Sequence, residues 1–198
     1  MLRRPFLIAA VALAAAFSLP ALAANPQVEF DTTAGKIRLE LYPDAAPKTV
    51  ANFLDYVKAK HYDGTQFHRV IAGFMIQGGG FTPDFMQKPT KPAIAIESEQ
   101  SSKAGLMNVP GTLAMARTGD PNSATAQFFI NVADNKSLNF RSADQPGYGY
   151  TVFGKVVSGM DVVDKIAKAP TGAGGPFPKD VPVERVVINT AVVVDTAK

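Results

Sequence analysis

The sequence contains no cysteine and no tryptophan, and it has only two histidines, His61 and His68. Without cysteine the chain has no disulfide, no thiol nucleophile, no Cys-ligated zinc site and no residue to carry an N-terminal lipid. Stability must therefore come from a hydrophobic core, and 46% hydrophobic with 19% charged residues is typical of a globular protein. Two histidines also leave few ways to build a His-based catalytic triad.

Patterns that would indicate other common functions are missing as well. There is no Gly-x-Ser-x-Gly stretch, which argues against the usual serine-hydrolase arrangement. The three glycines at 78–80 are not followed by Lys-Ser or Lys-Thr, so they do not form a phosphate-binding loop. No run of lysine or arginine offers a surface for nucleic acid, and we expect no nucleic-acid partner, no metal and no cofactor.

The first 23 residues have the three-part layout of a secretory signal peptide. Arg3 and Arg4 precede an apolar stretch at 6–19, and Pro20 is followed by a small-residue cleavage pattern at 21–23. The alternative is an uncleaved anchor, because residues 6–24 are barely long enough to span a bilayer, which takes roughly 20 residues. The richness of this segment in Ala and the Pro before the cleavage pattern favour cleavage. We expect cleavage, a mature domain of residues 24–198, a periplasmic location and no stable membrane anchor.

Cleavage would also change the charge balance. The whole chain has 20 Lys and Arg against 17 Asp and Glu, and a sequence pI near 9.1. Arg3 and Arg4 leave with the signal peptide, so 18 positive side chains face 17 negative ones and the net charge becomes +1. The high pI therefore does not indicate a nucleic-acid-binding protein.

Alternating polarity predicts that the mature chain consists mainly of short β-strands. Strict alternation at 36–42, after a turn at 34–35, predicts a β-hairpin with one buried face. Pro47 can begin a helix, and apolar residues at helical spacing predict that this helix covers 48–60. The remaining predicted strands are 65–71, 75–78, 93–97, 111–117, 128–132, 151–157 and 183–194, and a second short helix is predicted at 159–168.

About eight strands, two helices, no repeat and no linker favour a mainly β protein of one domain. We predict a single eight-stranded antiparallel β-barrel capped by two α-helices, which would cover its open ends. The strand pattern alone leaves a β-sandwich open as the alternative.

Four motifs carry the functional information. Residues 67–79 read FHRVIAGFMIQGG, 111–117 read GTLAMAR, 127–130 read QFFI and are followed by Leu138, and 150–156 read YTVFGKV. In wording and order they resemble the cyclophilin family of peptidyl-prolyl cis-trans isomerases, and the resemblance extends from about residue 28 to the end. It looks closest to the exported bacterial cyclophilins, so we expect a cyclophilin-like fold.

Strand alternation gives a partial reading of the same residues. It places Gln127 with Phe129 on one face of a strand, Met75 with Gln77 on one face, and Phe67 with Arg69 on one face. A patch of Arg, Gln, Met and Phe suits a ligand that is part ring and part amide. Alternation points His68 away from Arg69, and we interpret His68 as structural.

Taken with the residue chemistry, the resemblance implies a site for an X–Pro bond. Arg69 would donate hydrogen bonds to the prolyl amide, and Gln77 would orient Arg69. The pocket for the proline ring would be formed by Phe74, Met75, Phe129 and Leu138, and Tyr150 would close it. The backbone groups of Ala116 and Arg117 would bind the flanking peptide as if it were an added strand, and Gln127 would contact the peptide backbone.

The chain departs from the family pattern at three positions. Many cyclophilins have Trp where this chain has Ser137, His where it has Tyr150, and Asn where it has Arg117. The family implies that this Trp helps to hold the macrocycle cyclosporin, so we expect weak cyclosporin binding with activity retained. Arg117 adds a charge that would favour acidic residues near the substrate proline.

The predicted activity is isomerisation of X–Pro bonds in exported, unfolded or proline-containing polypeptides, by a monomer. The alternative is a module of the same fold that binds proline peptides without turnover. Arg69 discriminates between the two, because a non-catalytic relative could lose it and this chain keeps it.

Overall fold

The computed structural model describes residues 24–194, so the predicted signal peptide at 1–23 lies outside the described residues. Within this part the chain alternates short strands with three α-helices and one turn of 3-10 helix at Lys136–Leu138. In chain order the elements are β1 (Gln27–Thr32), β2 (Gly35–Leu41), α1 (Pro47–Lys58), β3 (Thr65–Ile71), β4 (Met75–Gly78), α2 (Ser98–Lys103), β5 (Thr112–Met115), β6 (Phe128–Asn131), β7 (Val152–Ser158), α3 (Met160–Ala167), β8 (Thr171–Gly174), β9 (Phe177–Pro182) and β10 (Val187–Val194).

Eight of the strands close into a barrel in the order β1-β10-β3-β4-β6-β5-β7-β2. Every neighbouring pair is antiparallel. The predicted eight-stranded antiparallel barrel is confirmed, and the β-sandwich alternative is wrong. The strands β8 and β9 form a separate two-stranded hairpin.

Alternating side chains fill the barrel. In β2 the fully buried residues are Ile37, Leu39 and Leu41, as the alternation predicts, and polar residues lie between them. Aromatic rings occupy the centre, where Phe53 of α1 packs edge-on against Phe128 of β6 with ring centroids 5.7 Å apart. Burying a side chain of this size contributes about 1.5–3 kcal/mol, so this core can stabilise a chain without disulfides.

Helices α1 and α3 cover the barrel with their apolar faces. Phe53 and Val57 of α1, and Val163 and Ile166 of α3, belong to the same buried cluster as the inward-facing strand residues. The predicted helices at 48–60 and 159–168 are therefore confirmed within two residues at each end. No helix among residues 24–194 is long and apolar enough to cross a lipid bilayer.

The structure corrects three details of the predicted elements. A third helix, α2, packs beside β7 in addition to the two predicted helices; its sequence SEQSSK has no apolar stripe to reveal it. Residues 93–97 do not form a strand and make only one isolated bridge, from Ile94 to Ala124. The last strand begins at Val187 rather than 183, and the Gly-rich segment before it forms the β8–β9 hairpin.

Candidate active site

A cavity of about 350 Å³ lies on the outer surface of the barrel, beside β3, β4 and β6. All ten site residues singled out in the sequence line it, although they come from five separate stretches of the chain. They are Arg69, Phe74, Met75, Gln77, Ala116, Arg117, Gln127, Phe129, Leu138 and Tyr150. Three further residues, His68, Phe81 and Phe177, complete the lining.

Strand pairing brings the polar residues of the cavity together. Arg69 of β3 pairs with Gln77 of β4, and Gln77 pairs with Phe129 of β6. Gln77 donates through Nε2 to Oε1 of Gln127 at 2.9 Å, which turns its own Oε1 towards Arg69. The Nη1 atom of Arg69 lies 3.5 Å from that oxygen, at the outer limit of a hydrogen bond.

A β-bulge decides which way Arg69 points. The pairing of β3 with β4 skips from Phe67 to Arg69, so His68 is the extra residue. Phe67 is fully buried in the barrel core, whereas Arg69 is exposed on the outside. The prediction that Phe67 and Arg69 share a face is therefore wrong, and so is the prediction that His68 points away from Arg69.

The guanidinium of Arg69 is largely uncommitted. Among residues 24–194 no carboxylate forms an ion pair with it, and its long contact to Gln77 occupies one N–H. A guanidinium has five N–H donors in a fixed plane and stays charged at all ordinary pH values. Arg69 can therefore present several oriented donors to a ligand in the cavity.

An apolar pocket adjoins Arg69 and is formed by Phe74, Met75, Phe129 and Leu138. Met75 and Phe129 are nearly fully buried, and the pocket belongs to a small cluster separate from the barrel core. The carbonyl of Phe74 accepts hydrogen bonds from Val132 N and from Asn135 Nδ2, which hold its loop in place. The pocket is thus a preformed surface for a small apolar ring.

Arg117 and Tyr150 close the rim of the apolar pocket. Tyr150 stands edge-on to Phe129 with centroids 5.6 Å apart, and the Arg117 guanidinium lies 4.6 Å from the centre of the Tyr150 ring. Nε of Arg117 donates to the carbonyl of Gly149 at 2.9 Å, and Nη1 donates to the carbonyl of Thr118 at 2.8 Å. The positive charge is therefore fixed at the rim by neutral partners.

The backbone at Ala116 is less open than the sequence suggests. Its N–H already donates to the carbonyl of Gln127 at 3.0 Å. A substrate strand added beside Ala116 and Arg117 would have to use their other backbone groups.

His68 lines the cavity beside Arg69, a position that strand alternation did not predict. It is only 2% exposed, and its ring packs edge-on against Phe81 with centroids 4.7 Å apart. Burial lowers the pKa of His68 to about 4, so the ring is neutral near pH 7. A neutral, buried imidazole supports the structural interpretation of His68, although its position beside Arg69 was not predicted.

Two further observations bear on what the cavity can hold. Ser137 is exposed on the 3-10 helix, and it is the next residue, Leu138, that lines the cavity. Among residues 24–194 no three His, Asp or Glu side chains are placed to hold a metal ion.

Comparison with known proteins agrees with this geometry. Residues 27–193 match the family described as cyclophilin type peptidyl-prolyl cis-trans isomerase/CLD. Peptidyl-prolyl cis-trans isomerase cyp18 of Streptomyces antibioticus is 57% identical to this chain, over 83% of this chain and 96% of that protein. Peptidyl-prolyl cis-trans isomerase B of Escherichia coli K12 is 54% identical, over 84% and 98%.

A solved structure is similar as well. The cyclophilin-type isomerase of Cryptosporidium parvum, crystallised in the presence of the dipeptide Ala-Pro, superimposes with a TM-score of 0.69. Its sequence is 27% identical, and the match covers 86% of this chain and 99% of that one.

Proposed function

The chain belongs to the cyclophilin-type peptidyl-prolyl cis-trans isomerases, and from that premise we propose that it isomerises X–Pro bonds in exported polypeptides, with Arg69 acting on the prolyl amide. The observation that carries the role of Arg69 is its position: an exposed guanidinium beside the apolar pocket, which forms no ion pair with any carboxylate of residues 24–194. The C. parvum isomerase was crystallised in the presence of the dipeptide Ala-Pro, which supports proline-containing peptides as the ligand class.

The chemistry needs only a hydrogen-bond donor in the right place. An X–Pro bond resists rotation because the imide nitrogen shares its lone pair with the carbonyl, and the barrier is about 18–20 kcal/mol. A guanidinium N–H directed at that nitrogen draws the lone pair out of conjugation, so the C–N bond acquires more single-bond character. Lowering the barrier by about 5 kcal/mol accelerates exchange by a few thousand-fold.

The surroundings of Arg69 fit this role. The apolar pocket would seat the proline ring, and Gln77, held by Gln127, would orient the guanidinium towards the amide. A donor that is already positioned in a partly dry site needs little reorganisation during the reaction. The neighbouring His68 is neutral and so does not compete as a second charge.

Export is proposed from the leader at 1–23, with its basic start, apolar stretch and cleavage pattern. X–Pro exchange takes tens of seconds without a catalyst, so polypeptides that fold after export would benefit from an isomerase. Expression of the full chain in a Gram-negative host, followed by periplasmic extraction and N-terminal sequencing, tests this proposal. A product that begins near Ala24 in the periplasmic fraction supports it, and an intact leader in the cytoplasm contradicts it.

Kinetics on a short Ala-Pro peptide test the role of Arg69. We expect Arg69→Ala to lower kcat/KM by at least about a hundredfold, while Arg69→Lys, which keeps charge but not the planar donors, recovers only part of it. The matched control is Arg141→Ala, an exposed arginine outside the cavity, which should leave the rate unchanged. Equal rates for wild type and Arg69→Ala would remove Arg69 from the mechanism.

A further inference from the structure

Three aromatic side chains line the cavity on the side that the apolar pocket does not occupy. We call His68, Phe81 and Phe177 the aromatic cluster. Their rings pack on one another, with centroids 4.7 Å apart for His68 and Phe81 and 5.2 Å apart for Phe81 and Phe177. Phe81 and Phe177 remain partly exposed while they line the cavity. The cluster thus offers ring surface to a ligand.

The hairpin β8–β9 delivers Phe177 to this position. The hairpin packs against β3, the strand that carries Arg69, and Phe177 is the first residue of β9. Phe85 lies over the hairpin turn so closely that a side chain on Gly175 would collide with its ring. The Arg185 guanidinium lies over the Phe85 ring, 4.4 Å from its centre, and the Phe85 and Phe177 rings have centroids 6.0 Å apart. These contacts hold Phe177 in a defined place.

Arg69 separates the aromatic cluster from the apolar pocket. His68 and Arg69 are consecutive on β3, about 3.3 Å apart along the strand, and Ile71 on the far side of Arg69 packs with the apolar pocket. The apolar pocket and the aromatic cluster do not share a hydrophobic cluster, although they line one cavity. A peptide whose proline ring occupied the apolar pocket would reach the aromatic cluster by passing Arg69.

We propose that the aromatic cluster is a second subsite, which binds the side chain of a residue adjacent to the substrate proline and favours an aromatic one. This proposal rests on the proposed function, because it requires the proline ring to occupy the apolar pocket. An aromatic side chain suits the site because rings in edge-to-face contact gain from their quadrupoles in addition to buried area. The neutral His68 adds no charge that would favour an acidic residue instead.

The test uses two series of short peptides in which the residue before proline and the residue after it are varied separately as Ala, Leu, Glu and Phe. For the wild type we expect kcat/KM to favour Phe over Ala by about fivefold at one of the two positions. Phe177→Ala should reduce that Phe-to-Ala ratio to near one, and Phe177→Leu should leave an intermediate value. The control is Met86→Ala. Met86 follows Phe85 in the chain and is 64% exposed, and this variant should keep the wild-type Phe-to-Ala ratio.

The ratio separates binding from a purely structural effect. If Phe177→Ala and Phe177→Leu lower kcat/KM equally for every peptide, or if the wild type shows no aromatic preference at either position, the second subsite is wrong while the isomerase remains. If Arg69→Ala instead has the same kcat/KM as the wild type on the Ala-Pro peptide, Arg69 does not have the proposed role. That result does not depend on the Phe-to-Ala ratio, so the two proposals can fail separately.

Discussion

Gln77 faces Arg69 across β3 and β4 with its Oε1 atom 3.5 Å from the Nη1 atom of the guanidinium. The contact is long enough to orient Arg69 without binding it firmly, because full hydrogen bonds of this kind are near 2.9 Å. An orienting partner that leaves the donors free is what the proposed mechanism requires.

Replacement of Gln77 tests this balance. Gln77→Ala should lower kcat/KM by about tenfold, because the guanidinium loses its alignment, and Gln77→Glu should lower it further, because a carboxylate would engage the donors in a charge-assisted pair. The measurement is isomerisation of an Ala-Pro peptide, with exposed Gln100→Ala as the control. A Gln77→Glu enzyme as fast as wild type would contradict the need for free donors.

Arg117 should set a preference for charge near the proline. Its guanidinium is fixed at the rim by neutral carbonyls and the Tyr150 ring, and within the described part of the chain no carboxylate forms an ion pair with it. We expect peptides with Glu beside proline to be favoured over the matching Lys peptides, and Arg117→Ala to remove that difference. Because the rim is open to solvent, the preference should also shrink as salt is raised. If Arg117→Ala still favours the Glu peptides over the Lys peptides, the preference does not come from Arg117.

Cyclosporin binding should be weak and should improve when an aromatic ring is restored. Ser137 is exposed beside Leu138 and supplies neither a ring nor an indole N–H. Ser137→Trp should tighten cyclosporin binding by about tenfold or more, measured by inhibition of peptide isomerisation. The exposed neighbour variant Lys136→Trp is the control. Nanomolar inhibition of the wild type would refute the prediction.

Stability should fall on mild acidification because of His68. Burial lowers its folded-state pKa to about 4, below the ordinary value of 6.5, so the unfolded chain binds more protons between these two pH values. Above about pH 6.5 the neutral His68 costs the folded state nothing in protonation. As the pH falls towards 4, the free energy of unfolding should decrease by roughly 3 kcal/mol in total on account of His68.

His68→Phe, which keeps a ring but cannot be protonated, should remove that part of the pH dependence. Denaturant unfolding of the wild type and of His68→Phe at about pH 7 and about pH 4.5 measures how much the free energy of unfolding changes with pH in each protein. The pKa of the buried His61 is also lowered by burial, so the stability that depends on a neutral His61 is likewise lost on acidification, and His68→Phe should still lose some stability as the pH falls. An unchanged difference between the two pH values would show that His68 does not contribute.

Glu97 should be a major determinant of stability. It is 6% exposed, and its carboxylate accepts hydrogen bonds from the backbone N–H groups of Lys48 and Thr49 and from the Thr49 hydroxyl, at the start of α1. Glu97→Ala leaves those donors unsatisfied at the positive end of the helix and should lower the free energy of unfolding by about 2–3 kcal/mol. Glu99→Ala, which removes only an exposed pair with Lys103, should cost less than about 0.5 kcal/mol.

Much of the fold was predictable because it depends on local periodicity. The alternation of Ile37, Leu39 and Leu41 determines which face of β2 is buried, and no tertiary contact is needed to see it. The motifs were equally informative, because they carry Arg69, Gln77 and Phe129 at positions that a barrel brings side by side. The predicted isomerase activity is confirmed by relatives of that name, whereas the residue roles, the signal peptide and the periplasmic location stay predictions.

The sequence, read with its family motifs, thus predicted the barrel, the buried face of strands such as β2, and ten of the thirteen residues that line the cavity. Tertiary structure alone decided that His68 joins Arg69 on the outer face, because the position of a bulge depends on how β3 pairs with β4 and not on β3 alone. It also decided that Phe177 reaches the site, since a Gly-rich segment far along the chain shows no periodicity until its hairpin packs against β3. Pairing register and long-range packing are properties of the closed chain, and local patterns do not contain them.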